Sequence, residues 1–387
     1  MRTICVVTVA RSDYGIYLPL LRRIQSDSEF RLYLIVSGAH LAPEFGMTVN
    51  AIQADGFEVN ERVEMLLASD SPEGIAKSMG IGVMGFAQSF ARFRPDILMV
   101  LGDRFEMHAA ALAALPFNIP VAHIHGGEVT QGAMDDALRH SITKLSHLHF
   151  VSTPEYARRV AQLGEEAWRI TVSGAPSLDN LNSMVLPTRE QLEARFKFRL
   201  EPAPLLVTFH PVTLEFEQTE WQVSELMAAL DRLDMPVIFT MPNADTRNGI
   251  IRQHIAEYLL THSSAWSVEN FGTPNYFGVM QFAAAMVGNS SSGIIEAPSF
   301  KLPVVNIGTR QDGRVRAINV IDVGYTSDEI VTGVRHAIAP AFRQDLLSGV
   351  NPHGDGHAAE RIVAGLRVVE LDDRLVRKTF RDLGVLE

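Results

Sequence analysis

A carboxylate and a guanidinium stand side by side in Gly102-Asp103-Arg104, directly after the apolar run Ile97-Leu98-Met99-Val100-Leu101. Such a run reads as a buried strand, and polar groups at its carboxyl end face a ligand in open α/β sheets. Alone, the pair reads more simply as an Asp capping the next helix beside a surface Arg. The next apolar run ends in His123-Ile124-His125-Gly126-Gly127-Glu128, and the helix after it opens at Asp135-Asp136 and carries Arg139 and His140. Two adjacent strand ends therefore bring Asp103, His125, Glu128 and Asp135 towards one crevice. Imidazoles and carboxylates in one place can serve as proton donor and acceptor. His123 and His125, two apart on a strand, could alternatively bind a metal, but acid–base chemistry is the preferred reading. His123, His147 and His149 each also read as hydrogen-bonded core histidines.

The second chemical stretch is Gly288-Asn289-Ser290-Ser291-Ser292-Gly293, with Glu296 one turn further on. Backbone N–H groups at a helix start, with small hydroxyl side chains, suit a diphosphate. A carboxylate one turn in could accept both hydroxyls of a ribose. A serine run that merely caps a helix fits as well. Thr208-Phe209-His210-Pro211 and Met241-Pro242-Asn243-Ala244-Asp245 place His210 and Asn243 at two further strand ends, where proline sets the turn. Arg11 in Arg11-Ser12-Asp13-Tyr14-Gly15 and Arg310 in Gly308-Thr309-Arg310 suit phosphate oxygens.

The elements that must position these groups alternate along the whole chain. Strands are expected at Thr3–Thr8, Arg31–Val36, Ile97–Leu101, Pro120–His123 and His149–Val151. Helices between them are expected at Tyr17–Ser26, Pro72–Phe93, Met107–Leu115, Asp135–Leu145 and Pro154–Leu163. After a proline-punctuated linker at about 182–200, a second series follows, with strands at Leu205–Phe209, Pro236–Thr240, Ser267–Asn270, Met286–Gly288 and Pro303–Ile307. The division expected is α/β, with Rossmann-like parallel-sheet lobes over 1–180 and 200–368 and a C-terminal helix over 370–387 returning to the first. At 387 residues, 47% hydrophobic and 20% charged, the chain can fill more than one core. A net charge of −11 disfavours nucleic acid and anionic membranes as partners. The single cysteine, Cys5, allows no intramolecular disulfide and no thiolate zinc site. The apolar stretches are short or interrupted by charge, so a cytoplasmic protein is expected.

The chain resembles the UDP-N-acetylglucosamine 2-epimerase family over nearly its whole length. The resemblance is carried by Arg11 to Gly15, Gly102 to Glu106, His123 to Glu128, Asp135 with Arg139-His140, Thr208 to Thr213, Gly288 to Gly293, Glu296, and Gly308 to Arg310. It implies a GT-B-like fold with the active site in the cleft between two lobes. Asp103, His125, Asp135 and His210 match the family's chemical residues; Glu128 lies in the same motif. Arg11, Arg104, Asn243, Ser290, Ser291, Glu296 and Arg310 match those that hold the UDP-sugar. No cofactor or metal is implied, and the partners expected are a UDP-amino sugar, the UDP product and further copies of the chain in a homodimer or homotetramer.

Where many members carry Glu at the third position of His-Ile-x-Gly-Gly, this chain has His125, and the spacing to Asp135 is one residue longer. His-Ile-His-Gly-Gly-Glu resembles the hydrolysing branch, in which UDP leaves and the free C2-epimerised sugar is released through a 2-acetamidoglycal. UDP-N,N'-diacetylbacillosamine, on the route to legionaminic acid, is slightly favoured over UDP-N-acetylglucosamine on the route to sialic acid. The alternatives are a non-hydrolysing epimerase and a GT-B glycosyltransferase.

Overall fold

Seven short segments in the first part of the chain form one all-parallel sheet in the order β3-β2-β1-β4-β5-β6-β7. They are β1 (Arg2–Thr8), β2 (Phe30–Ser37), β3 (Glu61–Val63), β4 (Ile97–Leu101), β5 (Val121–Ile124), β6 (Leu148–Val151) and β7 (Ile170–Val172). The computed structural model describes residues 1–69, 71–130, 134–241 and 248–382. A second parallel sheet, ordered β10-β9-β8-β11-β12-β13, follows. Its strands are β8 (Leu205–Thr208), β9 (Val237–Thr240), β10 (Ala265–Val268), β11 (Ala285–Gly288), β12 (Val304–Ile307) and β13 (Val320–Val323). The central strands β4, β5, β8, β11 and β12 are buried at every position. Helices cover both faces of a parallel sheet, which is why these strands read as unbroken apolar runs. The strands absent from the sequence reading, β3, β7 and β13, are all sheet edges carrying polar residues such as Glu61, Arg62, Thr171 and Asp322. Among the described residues no helix is long and apolar enough to cross a membrane.

The chain divides into two units. The first comprises Met1–Glu128, Met134–Asn182 and His353–Glu387; the second is Ser183–Pro352, with which Val129 and Thr130 also group. The helix Ala358–Val368, which the sequence reading placed in the second lobe, thus belongs to the first. Its start is capped from a distance, since the buried Asp179 carboxylate accepts the N–H groups of Ala358 (2.8 Å) and Ala359 (2.7 Å). Arg361 donates to the Ser173 carbonyl (3.1 Å), and Gly365 lies against Phe150.

The helix expected over 370–387 is a correction over its described part, 370–382, where the helix is one turn, Asp373–Val376. Arg169, 1% exposed, donates to the carbonyls of Arg374 (2.8 Å), Leu375 (2.9 Å) and Arg377 (3.3 Å). A continuing helix would need those acceptors for its own N–H groups. The segment instead runs back along the lobe, where Arg381 N–H reaches the Gly164 carbonyl (3.0 Å).

Removing the cap should be local. Asp179→Ala is expected to cost about 1–2 kcal/mol. By hydrogen-exchange mass spectrometry, amides of 358–368 should exchange faster while those of 219–233 keep their rate; unchanged exchange at 358–368 would remove the cap from this account. A second expectation concerns pH. Burial holds three histidines of the first lobe neutral: His40 is lowered from 6.5 to about 4, His123 to about 3 and His147 to about 4. The unfolded chain therefore binds protons below 6.5 that the folded lobe refuses, and stability falls with pH by roughly 1.4 kcal/mol per histidine per unit. The urea midpoint should be lower at pH 5 than at pH 7, and equal midpoints would contradict the assignment.

Candidate functional site

In the first sheet the connections diverge between β1 and β4, and this is where ligands enter open parallel sheets. Arg11 and Asp13 follow β1, Asp103 and Arg104 follow β4, and His125 and Ser152 follow the neighbouring strands β5 and β6. Gly102 N–H donates to the Ile124 carbonyl (2.9 Å), which joins the ends of β4 and β5. His123 meets the Gly102 carbonyl through Nε2 (2.8 Å) and the Thr143 hydroxyl through Nδ1 (3.1 Å). With both ring nitrogens engaged in the core, it is a structural histidine.

His125 is different. It has φ +63°, a left-handed backbone that costs a non-glycine residue about 1–2 kcal/mol. Its N–H donates to the Phe150 carbonyl (3.1 Å), and its own carbonyl accepts from Arg139 Nη1 (3.0 Å). Gly127 must be glycine, because at φ +76° a Cβ would lie 2.5 Å from the Tyr156 carbonyl oxygen. The turn directs the imidazole onto Glu128, with Nδ1 and Oε1 2.5 Å apart, and Ser152 Oγ donates to the same oxygen (3.2 Å). Arg139 Nη2 pairs with Asp103 Oδ2, and its Nη1 lies 3.8 Å from Glu128 Oε2. Asp103, His125 and Glu128 are thus brought together, with Arg139, to which the sequence assigned no role, at their centre.

Asp135, in the first turn of Met134–Leu145, is partly exposed, and its charge helps to keep both Arg139 and Arg104 protonated. Arg104 Nη1 stands 3.8 Å from Glu106 Oε1, whose carboxyl is raised, chiefly by burial and against the pull of Arg104. Arg11 opens the helix Arg11–Ser26, and its side chain makes no hydrogen bond or ion pair among the described residues. His140 Nε2 lies 3.6 Å from Asp136 Oδ2 on the same helix.

The second sheet repeats the arrangement between β8 and β11. Gly288, at φ +130°, passes so close to β8 that a Cβ would sit 1.9 Å from the Thr208 carbonyl oxygen. The buried Asn289 amide then accepts the His210 N–H (2.8 Å) and donates to the His210 carbonyl (2.8 Å). The Asn289 carbonyl in turn accepts from Arg310 Nη1 (3.0 Å) and Gln311 Nε2 (2.8 Å). One asparagine therefore places both His210 and Arg310. Burial first, and the charge of Arg310 second, lower His210 to about 3, so its imidazole is neutral.

The helix that opens at Ser292 is a single turn, Ser292–Ile295, followed by a 3-10 turn, Ala297–Phe300; Pro298 has no N–H to continue the helical ladder. Ser290 and Ser291 keep backbone N–H groups with no hydrogen bond among the described residues, beside Arg310. Glu296 is 9% exposed. Tyr276, missed in the sequence, has its hydroxyl at Thr208, Ser290 and Ser292; burial first, and the charge of Glu296, push it up to about 12 against the effect of those hydroxyls. It remains a donor. Glu215 closes the edge of this lobe's site, accepting from Thr309 Oγ1 (2.5 Å), Tyr325 (2.6 Å) and Gln222 (2.8 Å). Asn243 lies outside the described residues.

Chemically, the first lobe presents a coupled carboxylate–guanidinium–imidazole network suited to proton transfer, and the second a neutral histidine next to cationic and N–H groups suited to an anion. Asn289 and Arg139 were both visible in the motifs, but no spacing rule marks a residue whose role is to hold others.

The family model for UDP-N-acetylglucosamine 2-epimerase matches residues 22–367. The GDP/UDP-N,N'-diacetylbacillosamine 2-epimerase (hydrolyzing) of Campylobacter jejuni is 40% identical over 83% of this chain and 84% of its own. The UDP-N,N'-diacetylbacillosamine 2-epimerase (hydrolyzing) of Legionella pneumophila is 37% identical over 98% of this chain and 99% of its own. Among solved structures, the UDP-GlcNAc 2-epimerase of Neisseria meningitidis, bound to UDP-GlcNAc, superposes with a TM-score of 0.82 at 19% identity over 94% of this chain and 99% of that one, a shared fold. With a family model over most of its length and relatives this similar end to end, the chain belongs to the UDP-N-acetylglucosamine 2-epimerase family.

Proposed function

We propose that the protein is a hydrolysing 2-epimerase of a UDP-linked 2-acetamido sugar, with UDP-N,N'-diacetylbacillosamine as substrate and a nonulosonic acid of the legionaminic type as the product its pathway serves. The observation that carries the reading is the Asp103–Arg139–Glu128–His125 network at adjoining strand ends. A reaction that only transfers a sugar has no need of it. The 37% and 40% identical relatives, both named as hydrolysing enzymes for diacetylbacillosamine, support the same choice of branch and sugar.

In this reading the C1–O bond to UDP breaks as the C2 proton is removed, leaving the 2-acetamidoglycal. Water then adds its oxygen to C1, and a proton returns to C2 from the opposite face. Glu128, bound to Nδ1 of His125, leaves Nε2 as the ring's acceptor, so His125 takes or relays the C2 proton with Asp103 and Asp135. His210 is the second acid–base group. Once protonated it gives its proton up readily, because burial and Arg310 disfavour the charge. Arg310, Tyr276 and the Ser290 and Ser291 N–H groups hold the diphosphate and stabilise the charge that builds as it departs. Arg11 and Arg104 contribute further positive charge, and Glu296 takes the ribose.

The test is turnover in deuterated water with UDP-N,N'-diacetylbacillosamine, its GDP counterpart and UDP-N-acetylglucosamine, without any sugar acceptor. Free C2-inverted sugar carrying deuterium at C2 is expected, fastest with the first. Release of unlabelled sugar, or no release until an acceptor is added, would overturn the reading. Asp103→Asn and His210→Ala should each lower kcat by about 100-fold or more, with UDP affinity by calorimetry close to wild type. Retained turnover in either variant would remove that residue from the mechanism.

A further inference from the structure

We infer that Arg139 is a positioning residue that joins Asp103 to the His125–Glu128 pair as one proton-transfer unit; the inference rests on the function proposed above. Three separate groups converge on its guanidinium, which is 3% exposed: the Asp103 carboxylate at Nη2, the His125 carbonyl at Nη1, and the Glu128 carboxylate 3.8 Å from Nη1. The four groups come from three places in the chain, Asp103 from the end of β4, His125 and Glu128 from the turn after β5, and Arg139 from the helix Met134–Leu145. Nothing local keeps the two carboxylates together.

The arrangement has two consequences. Buried carboxylates close to one another disfavour each other's ionisation, and a cation between them relieves this. Burial opposes the charge of Arg139, but Asp103, Glu128, Asp135 and Asp136 outweigh it and the group stays protonated. It therefore sets one fixed positive charge against both the Asp103 and the Glu128 carboxylates. The second consequence is directional. His125 adopts its left-handed backbone between two hydrogen bonds, one from its N–H to Phe150 and one from Arg139 to its carbonyl, and that backbone aims the ring at Glu128. A lysine ammonium is a single point and lacks the planar fork that meets a carboxylate and a carbonyl at once.

The experiment uses the full chain with Arg139→Lys, Arg139→Met and Arg139→Ala. Turnover should fall by about 100-fold, the scale of a small misplacement of reacting groups, with KM and UDP affinity within about threefold of wild type. The acid limb of the kcat–pH profile should move to higher pH, because carboxylates stripped of the guanidinium hold protons more tightly. Millimolar guanidinium should restore part of the turnover of Arg139→Ala, which a purely structural role would not allow. UDP binding and the circular dichroism spectrum of Arg139→Lys report folding, so that variant decides the matter if Arg139→Met does not fold. Wild-type-like kcat in Arg139→Lys, a loss confined to KM, or lowered kcat with neither a shifted acid limb nor rescue would each overturn the inference. Failure of the wild-type chain to release C2-labelled sugar would instead overturn the function on which it rests.

Discussion

Parallel strands can be joined only by crossovers that return over one face or the other of the sheet, and where successive crossovers take opposite faces a gap opens at the strand ends. That constraint acts twice here, between β1 and β4 and between β8 and β11. Apart from Tyr276, on the helix Thr273–Phe282 after the edge strand β10, the candidate groups that the structure describes follow β1, β4, β5, β8, β11 or β12 or stand on the helix that comes next. The apolar strands supply rigidity behind them. Ile97–Leu101 and Leu205–Thr208 are buried throughout, so the groups that follow them start from fixed positions.

The charged groups at the first gap sit where isolated ions would be costly. Asp13 and Glu106 are 3% and 2% exposed, and burial raises both. Arg104 and Arg139 provide the counter-charge. A site that must move protons benefits from buried carboxylates and guanidinium groups held together in this way. Stability at low pH is the cost, borne by the neutral core histidines His40, His123 and His147.

The second lobe achieves its order through the backbone. Gly288 allows β11 to approach β8 where no side chain fits, and Asn289 exploits that approach to hold both the N–H and the carbonyl of His210. The same residue's carbonyl takes Arg310. Anion-binding and acid–base groups of this lobe are thereby set by one amide and one glycine, with the hydroxyl of Tyr276 among the serines.

Much of this was legible in the chain. Unbroken apolar runs marked the central strands, and the motifs at their ends marked Asp103, His125, Glu128, His210, Ser290 and Arg310, because residue type and position after a strand suffice to place a group at the sheet's carboxyl edge. The edge strands β3, β7 and β13 were not legible, since an edge needs no continuous apolar run. Nor was the first lobe's claim on 353–382, which depends on Asp179 capping a helix far along the chain and on Arg169 taking carbonyls that a helix would have used. Sequence by itself determined the strand-and-helix alternation, the family and the inventory of chemical groups, because these follow from local periodicity and short motifs. Only the tertiary structure decided which groups touch: that Arg139 gathers Asp103, His125 and Glu128, that His123 is core, and that Asn289 places His210. Those contacts join residues distant along the chain, and no local spacing encodes them.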